Sequence, residues 1–166
     1  MNNDSLDSNI EIAFLKTPFG ALEVQADSSS ILCINIVKKV KGRNKKIVNP
    51  HLKRAIKQLE QYLAGKRKTF DLPLRFLGTP FQNSVWRQLD KIPFGTLATY
   101  GEIAKKIGSS KASRAVGGAN NRNPYSIVIP CHRVVGANQK LVGYGGGMEV
   151  KKWLLGHESL DISNYS

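Results

Sequence analysis

The residue with the most chemical potential in this chain is Cys131, in the run Pro130-Cys131-His132-Arg133-Val134. The thiolate is the nucleophilic form of cysteine and neighbouring cations favour it, so His132 and Arg133 are a suitable flank for a reacting sulfur. Pro130 fixes φ just before the cysteine and stiffens its approach. An isolated cysteine after an apolar run is more often a buried core thiol, and the motif alone does not overturn that reading. On extended backbone Cys131 and His132 point to opposite faces, so contact between them needs a turn or a bridging water. An imidazole that accepts the thiol proton must also be held in one tautomer, which a carboxylate does well. Glu158 is a candidate for that role, and Glu102 and Glu149 are its rivals. His51 and His157 are expected on the surface.

A second constellation lies upstream. Lys111-Ala112-Ser113-Arg114-Ala115-Val116-Gly117-Gly118-Ala119 is small in its side chains, and only Arg114 projects far from its middle. Such a helix can bring its backbone close to a nucleic-acid groove, or it can pack inside the protein through its Ala and Gly face. The two readings weigh equally on residue type alone.

The elements that must position these residues follow from local patterns. Short apolar runs at Ile12–Leu15, Leu22–Val24 and Ile31–Val37, with Gly and Pro between them, predict a small antiparallel sheet. Lys38–Lys46 follows as a basic, solvated connection. Leu52, Ile56, Leu59 and Leu63 recur on one face of a helix over His51–Ala64, which Gly65 closes. The basic, Pro-containing stretch from Lys66 to Gly78 holds the boundary between an N-terminal domain, 1–78, and a C-terminal one, 79–166.

Thr79-Pro80 opens the next helix, with Phe81, Val85, Trp86 and Leu89, and Ile92-Pro93-Phe94-Gly95 ends it. Thr99 and Glu102 stand at capping-box spacing around a helix from Tyr100 to Ile107, closed by Gly108. Ser109 or Ser110 can cap a third helix over Lys111–Ala119, and the tight joint makes the pair a helix-turn-helix candidate. Ser126–Ile129 reads as a short buried strand leading to Cys131. Gly143–Gly147 reads as a flexible loop, and Glu149–Leu155 as a last amphipathic helix ended by Gly156. The fold class is α+β, a small antiparallel sheet with a helix followed by a mainly helical domain.

The composition bounds the partners. The 166 residues, 41% hydrophobic, can bury the core of one domain or two small ones. The formal net charge of +13, from 25 Lys and Arg against 12 Asp and Glu, suits a polyanion, because each neutralised phosphate releases counterions. Two cysteines, Cys33 and Cys131, make neither a disulfide framework nor a four-cysteine zinc site. Residues 1–9 are polar and partly acidic, with no signal sequence, and no apolar run reaches membrane-spanning length. A cytoplasmic protein with free thiols is expected.

With these residues in view, the stretch from Phe81 to Glu158 resembles the O6-alkylguanine-DNA alkyltransferases. The matching pieces occur in the family's order: Gly95-Thr96-Leu97-Ala98-Thr99-Tyr100, Ser113-Arg114-Ala115-Val116-Gly117-Gly118-Ala119, Pro130-Cys131-His132-Arg133-Val134, Tyr144-Gly145-Gly146-Gly147 and Trp153-Leu154-Leu155-Gly156-His157-Glu158. The resemblance implies a ribonuclease-H-like N-terminal domain and a helix-turn-helix domain that transfers an alkyl group irreversibly from guanine O6 in duplex DNA to Cys131. It implies that His132 acts as base through a water, that Glu158 orients His132, and that Asn123 supports the site by hydrogen bonds. Tyr100 would meet the phosphate of the rotated nucleotide, and Arg114 would fill the gap left in the duplex. Ala112, Ser113, Ala115 and Gly117 would follow the minor groove, and Val134, Tyr144, Gly145 and Gly146 would wall the base pocket. Gly145 departs from the serine that many relatives carry, so a backbone amide would serve the base oxygen there. No counterpart exists for the zinc ligands of some relatives. No metal and no cofactor are expected, and the partner implied is double-stranded DNA carrying O6-alkylguanine, met by a monomer.

Three other readings compete. A relative that binds alkylated DNA without reacting would lack the acceptor cysteine. A cysteine hydrolase built on Cys131, His132 and Glu158 would leave Arg114 and the small-residue helix unexplained. A plain helix-turn-helix regulator would not need the Cys-His pair.

Overall fold

The computed structural model describes residues 9–42 and 45–163, so the N-terminal reading on residues 1–8 and residues 43 and 44 of the basic connection lie outside the described residues. The chain divides into two compact units between Arg75 and Phe76.

The first unit is a three-stranded antiparallel sheet, β1 (Glu11–Thr17), β2 (Gly20–Ala26) and β3 (Ile31–Val37), in the order β1-β2-β3. β1 and β2 pair in unbroken register from Glu11↔Ala26 to Thr17↔Gly20. Leu22, Val24 and Ala26 alternate onto one face with Ala13 and Ile34, and all are buried. Helix α1 (Pro50–Leu63) packs on the sheet and buries Leu52, Ala55, Leu59 and Tyr62. Asn49 caps it by accepting from the backbone N–H of His51 and Leu52. At its far end Gly65, with φ +72°, allows the Gly65 and Lys66 amides to close on Tyr62 and Gln61.

The stretch after α1 is tied down. Gln58 exchanges two hydrogen bonds with the backbone of Asp71. The amide of Ile31 donates to the carbonyl of Pro73, and Arg75 pairs with the buried Asp27 at 3.1 Å. The basic run therefore leads back onto its own unit, and the chain leaves it only at Phe76.

The second unit is mainly helical: α2 (Pro80–Leu89), α3 (Tyr100–Lys106), α4 (Ser113–Asn121) and α5 (Met148–His157). Two-residue strands β4 (Ala98–Thr99) and β5 (Val134–Val135) pair in parallel. Phe76 belongs here because its ring packs on Trp86 and Tyr125. The predicted capping box of Thr99 with Glu102 forms, and Thr79 makes a second, unpredicted one with Gln82. Gly108, at φ +75°, closes α3: its amide reaches Lys105 and that of Ser109 reaches Ala104. Helix α4 follows within a few residues, so the helix-turn-helix stands.

Three local expectations need correcting. Neither Ser109 nor Ser110 caps α4: the N-cap is Ala112, without a side-chain hydrogen bond, because Ser109 is used in a backbone turn to Ala112. Ser126–Ile129 is no strand. The Val128 amide closes on the Ser126 carbonyl across Ile127, whose φ is +73°, and the Cys131 amide closes on Ile129 across Pro130. These are two successive three-residue turns, and a β-branched residue at positive φ is strained there. Gly156 does not end α5, which runs to His157. The left-handed closing position falls to Ser159, φ +64°, whose amide reaches Gly156 while that of Leu160 reaches Leu155.

Candidate active site

The two turns deliver Cys131 into a single 3-10 turn, Cys131–Arg133, so the Pro130–Val134 motif is not extended and the opposite-face argument does not apply. Cys131 and His132 are both buried. The carboxylate on His132 is Glu158, with Nε2 and Oε1 2.7 Å apart. The rivals are engaged elsewhere: Glu102 accepts from the Thr99 amide, and Glu149 stands exposed beside Lys152.

Glu158 sits at the end of α5, where the late closure at Ser159 places it. Its carboxylate also receives Arg133 through Nε at 2.8 Å and Nη2 at 2.9 Å, and the Gly95 amide at 3.1 Å. Burial works to raise this carboxyl, but the hydrogen bonds and charges of His132 and Arg133 outweigh it and hold Glu158 well below the usual carboxylate range. An ionised Glu158 accepts from Nε2–H, which leaves Nδ1 as the basic nitrogen. Burial pushes the imidazole down, against the pull of Glu158, so it is neutral. Nδ1 is buried with no hydrogen-bond partner.

The Ile92–Gly95 segment does more than end α2. The Ile92 carbonyl accepts from Arg133 Nη1 at 2.5 Å, and the Arg133 guanidinium lies over the Phe94 ring. Arg133 is thus spent on Glu158 and on this segment, and it is not the free cation beside the thiol that its place in the sequence suggests.

Burial pushes the Cys131 thiol up, and three groups oppose it: side-chain hydrogen bonds from Asn123 and Tyr144, and the charge of Lys151. Asn123 is fixed from both ends of its amide. Its Nδ2 donates to the Ile129 carbonyl at 2.8 Å, and its Oδ1 accepts from the Tyr125 amide at 2.9 Å. Asn120, on α4, donates to the Cys131 carbonyl at 3.4 Å. Lys151 has no role in the sequence-based reading. Its signal is a lysine on the apolar face of α5, three and four residues before Leu154 and Leu155, where all three are buried.

The β4–β5 pairing sets Thr99 beside Val135 and so brings Tyr100 within reach of the Cys131 charge. Burial, followed by the charge of Cys131, pushes the Tyr100 phenol up, which keeps it a proton donor at neutral pH. A pocket of about 450 Å³ opens between the helix-turn-helix and the loop before α5, lined by Tyr100, Ser113, Arg114, Gly117, Val142 and Gly143 among others. Val134 is fully buried and offers its carbonyl to Lys151; Gly145 and Gly146 are not among the lining residues, and Gly145 faces the Asn121 carbonyl. Helix α4 packs inward through one face and leaves another exposed. Val116, Ala119 and Asn120 are buried, with the Ala119 carbonyl held by Trp86 Nε1, while Arg114 and Ala115 are exposed and Ala112 borders the turn.

Among the described residues no group of three or more His, Cys, Asp and Glu side chains could hold a metal ion, and no helix is long and apolar enough to cross a membrane.

Comparison with known proteins agrees with this geometry in both units. Residues 10–76 match the ribonuclease-like domain, and residues 80–160 the DNA binding domain, of the 6-O-methylguanine DNA methyltransferase family. The methylated-DNA–protein-cysteine methyltransferase of Methanosarcina acetivorans is 48% identical over 147 residues, 86% of this chain and 94% of that protein. The constitutive enzyme of that name from Bacillus subtilis is 52% identical over 112 residues, 67% of this chain and 68% of its own length. Among solved structures, Mycobacterium tuberculosis OGT in complex with DNA superposes with a TM-score of 0.79 at 40% identity, covering 87% of this chain and 90% of that one. With both of its domains matched and a close relative spanned almost end to end, this chain belongs to the family of methylated-DNA–protein-cysteine methyltransferases, repair enzymes that move an alkyl group from DNA to a cysteine.

Proposed function

We propose that this protein repairs O6-alkylguanine in double-stranded DNA, acting as a monomer in the cytoplasm, by transferring the alkyl group to Cys131 once and irreversibly. Label transfer from a duplex carrying O4-alkylthymine tests whether that base is repaired as well. The observation that carries the reading is the buried chain of groups behind the thiol: Glu158 ionised, His132 neutral with Nε2–H on Glu158, and Nδ1 left as an unpartnered base.

In the reaction the Cys131 proton passes, through a water, to His132 Nδ1. The sulfur attacks the alkyl carbon, the carbon–O6 bond breaks, and its electron pair goes to the guanine, which is neutralised by a proton. Tyr100 is the donor at hand, with backbone amides of the pocket wall assisting. Asn123 and Tyr144 hold the sulfur. The product is a thioether, which has no good leaving group, so the protein is consumed.

Residues 79–166 form the DNA-binding and acceptor domain. The target atom is inside the base stack, so the nucleotide must be turned out into the pocket beside Tyr100 and Val142, at a cost of roughly a few kcal/mol. The exposed small side chains of α4 suit the narrow minor groove, and Arg114, long and exposed among them, is the side chain we assign to the vacated stack.

The test is transfer of label from a duplex carrying radiolabelled O6-methylguanine. The label on protein is expected to plateau at no more than one group per chain, to vanish in Cys131→Ala with DNA affinity within a few-fold of the parent, and to persist in Cys33→Ser. Turnover beyond one equivalent, or transfer to the Cys131→Ala variant, overturns the reading.

A further inference from the structure

Three basic groups surround Cys131, and two of them bring no net positive charge to it. Arg133 is neutralised by Glu158 through two hydrogen bonds, and His132 is held neutral by burial. The third is Lys151. Its side chain is fully buried, and its ammonium donates to two carbonyl oxygens, Val134 at 2.6 Å and Val142 at 3.1 Å. Among the described residues it forms no ion pair with an Asp or Glu. A buried cation satisfied only by neutral dipoles is costly, and an apolar side chain of similar length would relieve that cost.

The two carbonyls belong to different parts of the site. Val134 follows the acceptor turn and pairs with Ala98 in the parallel ladder. Val142 is an exposed wall of the pocket. One ammonium therefore bridges the acceptor strand and the pocket wall, and its charge acts on the Cys131 sulfur.

We propose that Lys151 is a positioning residue for alkyl transfer, supplying the uncompensated positive charge that stabilises the Cys131 thiolate as it forms while tying the pocket wall at Val142 to the acceptor strand at Val134. The inference rests on the reading of Cys131 as the alkyl acceptor. A preoriented charge aimed at a developing anion in a buried site costs no reorganisation when the anion appears.

The proposal fixes a pH dependence. The titratable groups whose charge couples to Lys151 are Cys131 and His132 of the 3-10 turn, while Glu149 and Lys152 of its own helix stand outside and pair with each other. Burial brings Lys151 down to about 8, against the pull of Cys131. As pH rises the thiolate is gained and the ammonium is lost, the second around 8. Transfer from a free-base donor such as O6-benzylguanine should rise with pH, pass through a maximum and fall.

The experiment compares the parent, Lys151→Met and Lys151→Arg in a Cys33→Ser background, where Cys131 is the only thiol. Thiolate absorbance is titrated against a Cys131→Ser blank, and rates with O6-benzylguanine are measured across the same pH range. Lys151→Met should move the thiol midpoint up by about one unit or more, a roughly tenfold loss of thiolate at neutral pH, and slow transfer to match. Lys151→Arg should restore the midpoint and abolish the falling limb, since a guanidinium keeps its charge. An unmoved midpoint in Lys151→Met overturns the proposal, even if transfer slows. Should that variant fail to fold, the parent profile decides: a monotonic rise overturns the proposal, and a maximum that Lys151→Arg removes supports it. The titration involves neither DNA nor an alkyl donor, so a parent that transfers nothing overturns the acceptor reading, whereas an unmoved midpoint overturns only this one.

Discussion

Gly95 donates its backbone N–H to Glu158 Oε2 at 3.1 Å, and a Cβ on Gly95 would stand 3.2 Å from the Glu158 carbonyl oxygen. The two residues are far apart in sequence, yet one side of the carboxylate is set by the backbone of the other. Gly95 also has φ +72°, a conformation that costs a residue with a Cβ roughly 1–2 kcal/mol. Gly95→Ala should therefore lower stability by about that amount and slow alkylation as well, because Glu158 is pushed off His132. Denaturant unfolding and label transfer measure the two effects. Lost stability with an unchanged rate would show that Glu158 does not depend on this contact.

His132→Ala and Glu158→Gln should each slow alkyl transfer by a factor of about 10² or more, the first by removing the base and the second by releasing its tautomer. Combining them should add little beyond the slower single variant, because the two act as one unit. Single-turnover rates on a damaged duplex give the comparison. Multiplicative losses would mean that the two residues act independently.

Acid stability offers a separate check on the same carboxylate. Glu158 is held well below the usual range in the folded state, so its contribution is present above the unfolded value of about 4.3 and is lost as pH falls below it. Breaking a buried pair by removing one partner costs about 3 kcal/mol or more. Glu158→Gln should thus be markedly less stable than the parent at pH 7, and the gap should narrow as pH falls below about 4. A gap that stays constant from pH 7 to pH 3 would mean that the carboxylate is not the stabilising species.

Wherever one turn of backbone decides the outcome, the sequence was legible. Thr99 and Glu102 form their box, Gly65 and Gly108 close their helices, and the alternation of Leu22, Val24 and Ala26 sets the sheet face. The departures arise where distant groups override local preference. An apolar run such as Ser126–Ile129 is compatible with a strand, but Asn123 gathers the Tyr125 and Ile129 backbone and the chain folds into turns. Gly156 looks like a stop, yet α5 runs on to His157 and is capped by Glu158, whose carboxylate is anchored by Arg133 and His132. Cys131, His132 and Glu158 could be picked out as residue types, because nucleophile, base and carboxylate announce themselves. The holding parts were harder: Ile92 and Gly95 act through backbone groups that nothing in their local sequence marks, and Lys151 shows only as a lysine on the apolar face of α5.

Arg114 should matter for turning out the damaged nucleotide more than for attraction to DNA. It lies exposed on α4 and borders the pocket with Tyr100 and Val142, so it can occupy the space that a nucleotide leaves as it enters. The formal charge of +13 is spread over the whole chain and supplies the salt-dependent affinity, of which Arg114 is one part in many. Arg114→Ala should therefore depress the repair rate on a duplex strongly while changing the salt slope of binding by only about one unit. With the free base O6-benzylguanine the loss should be small, because no stack has to be opened. The measurement is a pair of Cys131 alkylation rates, duplex and free base, for parent and variant. Equal losses on both substrates would mean that Arg114 holds the pocket together, and the stack-filling role would have to be given up.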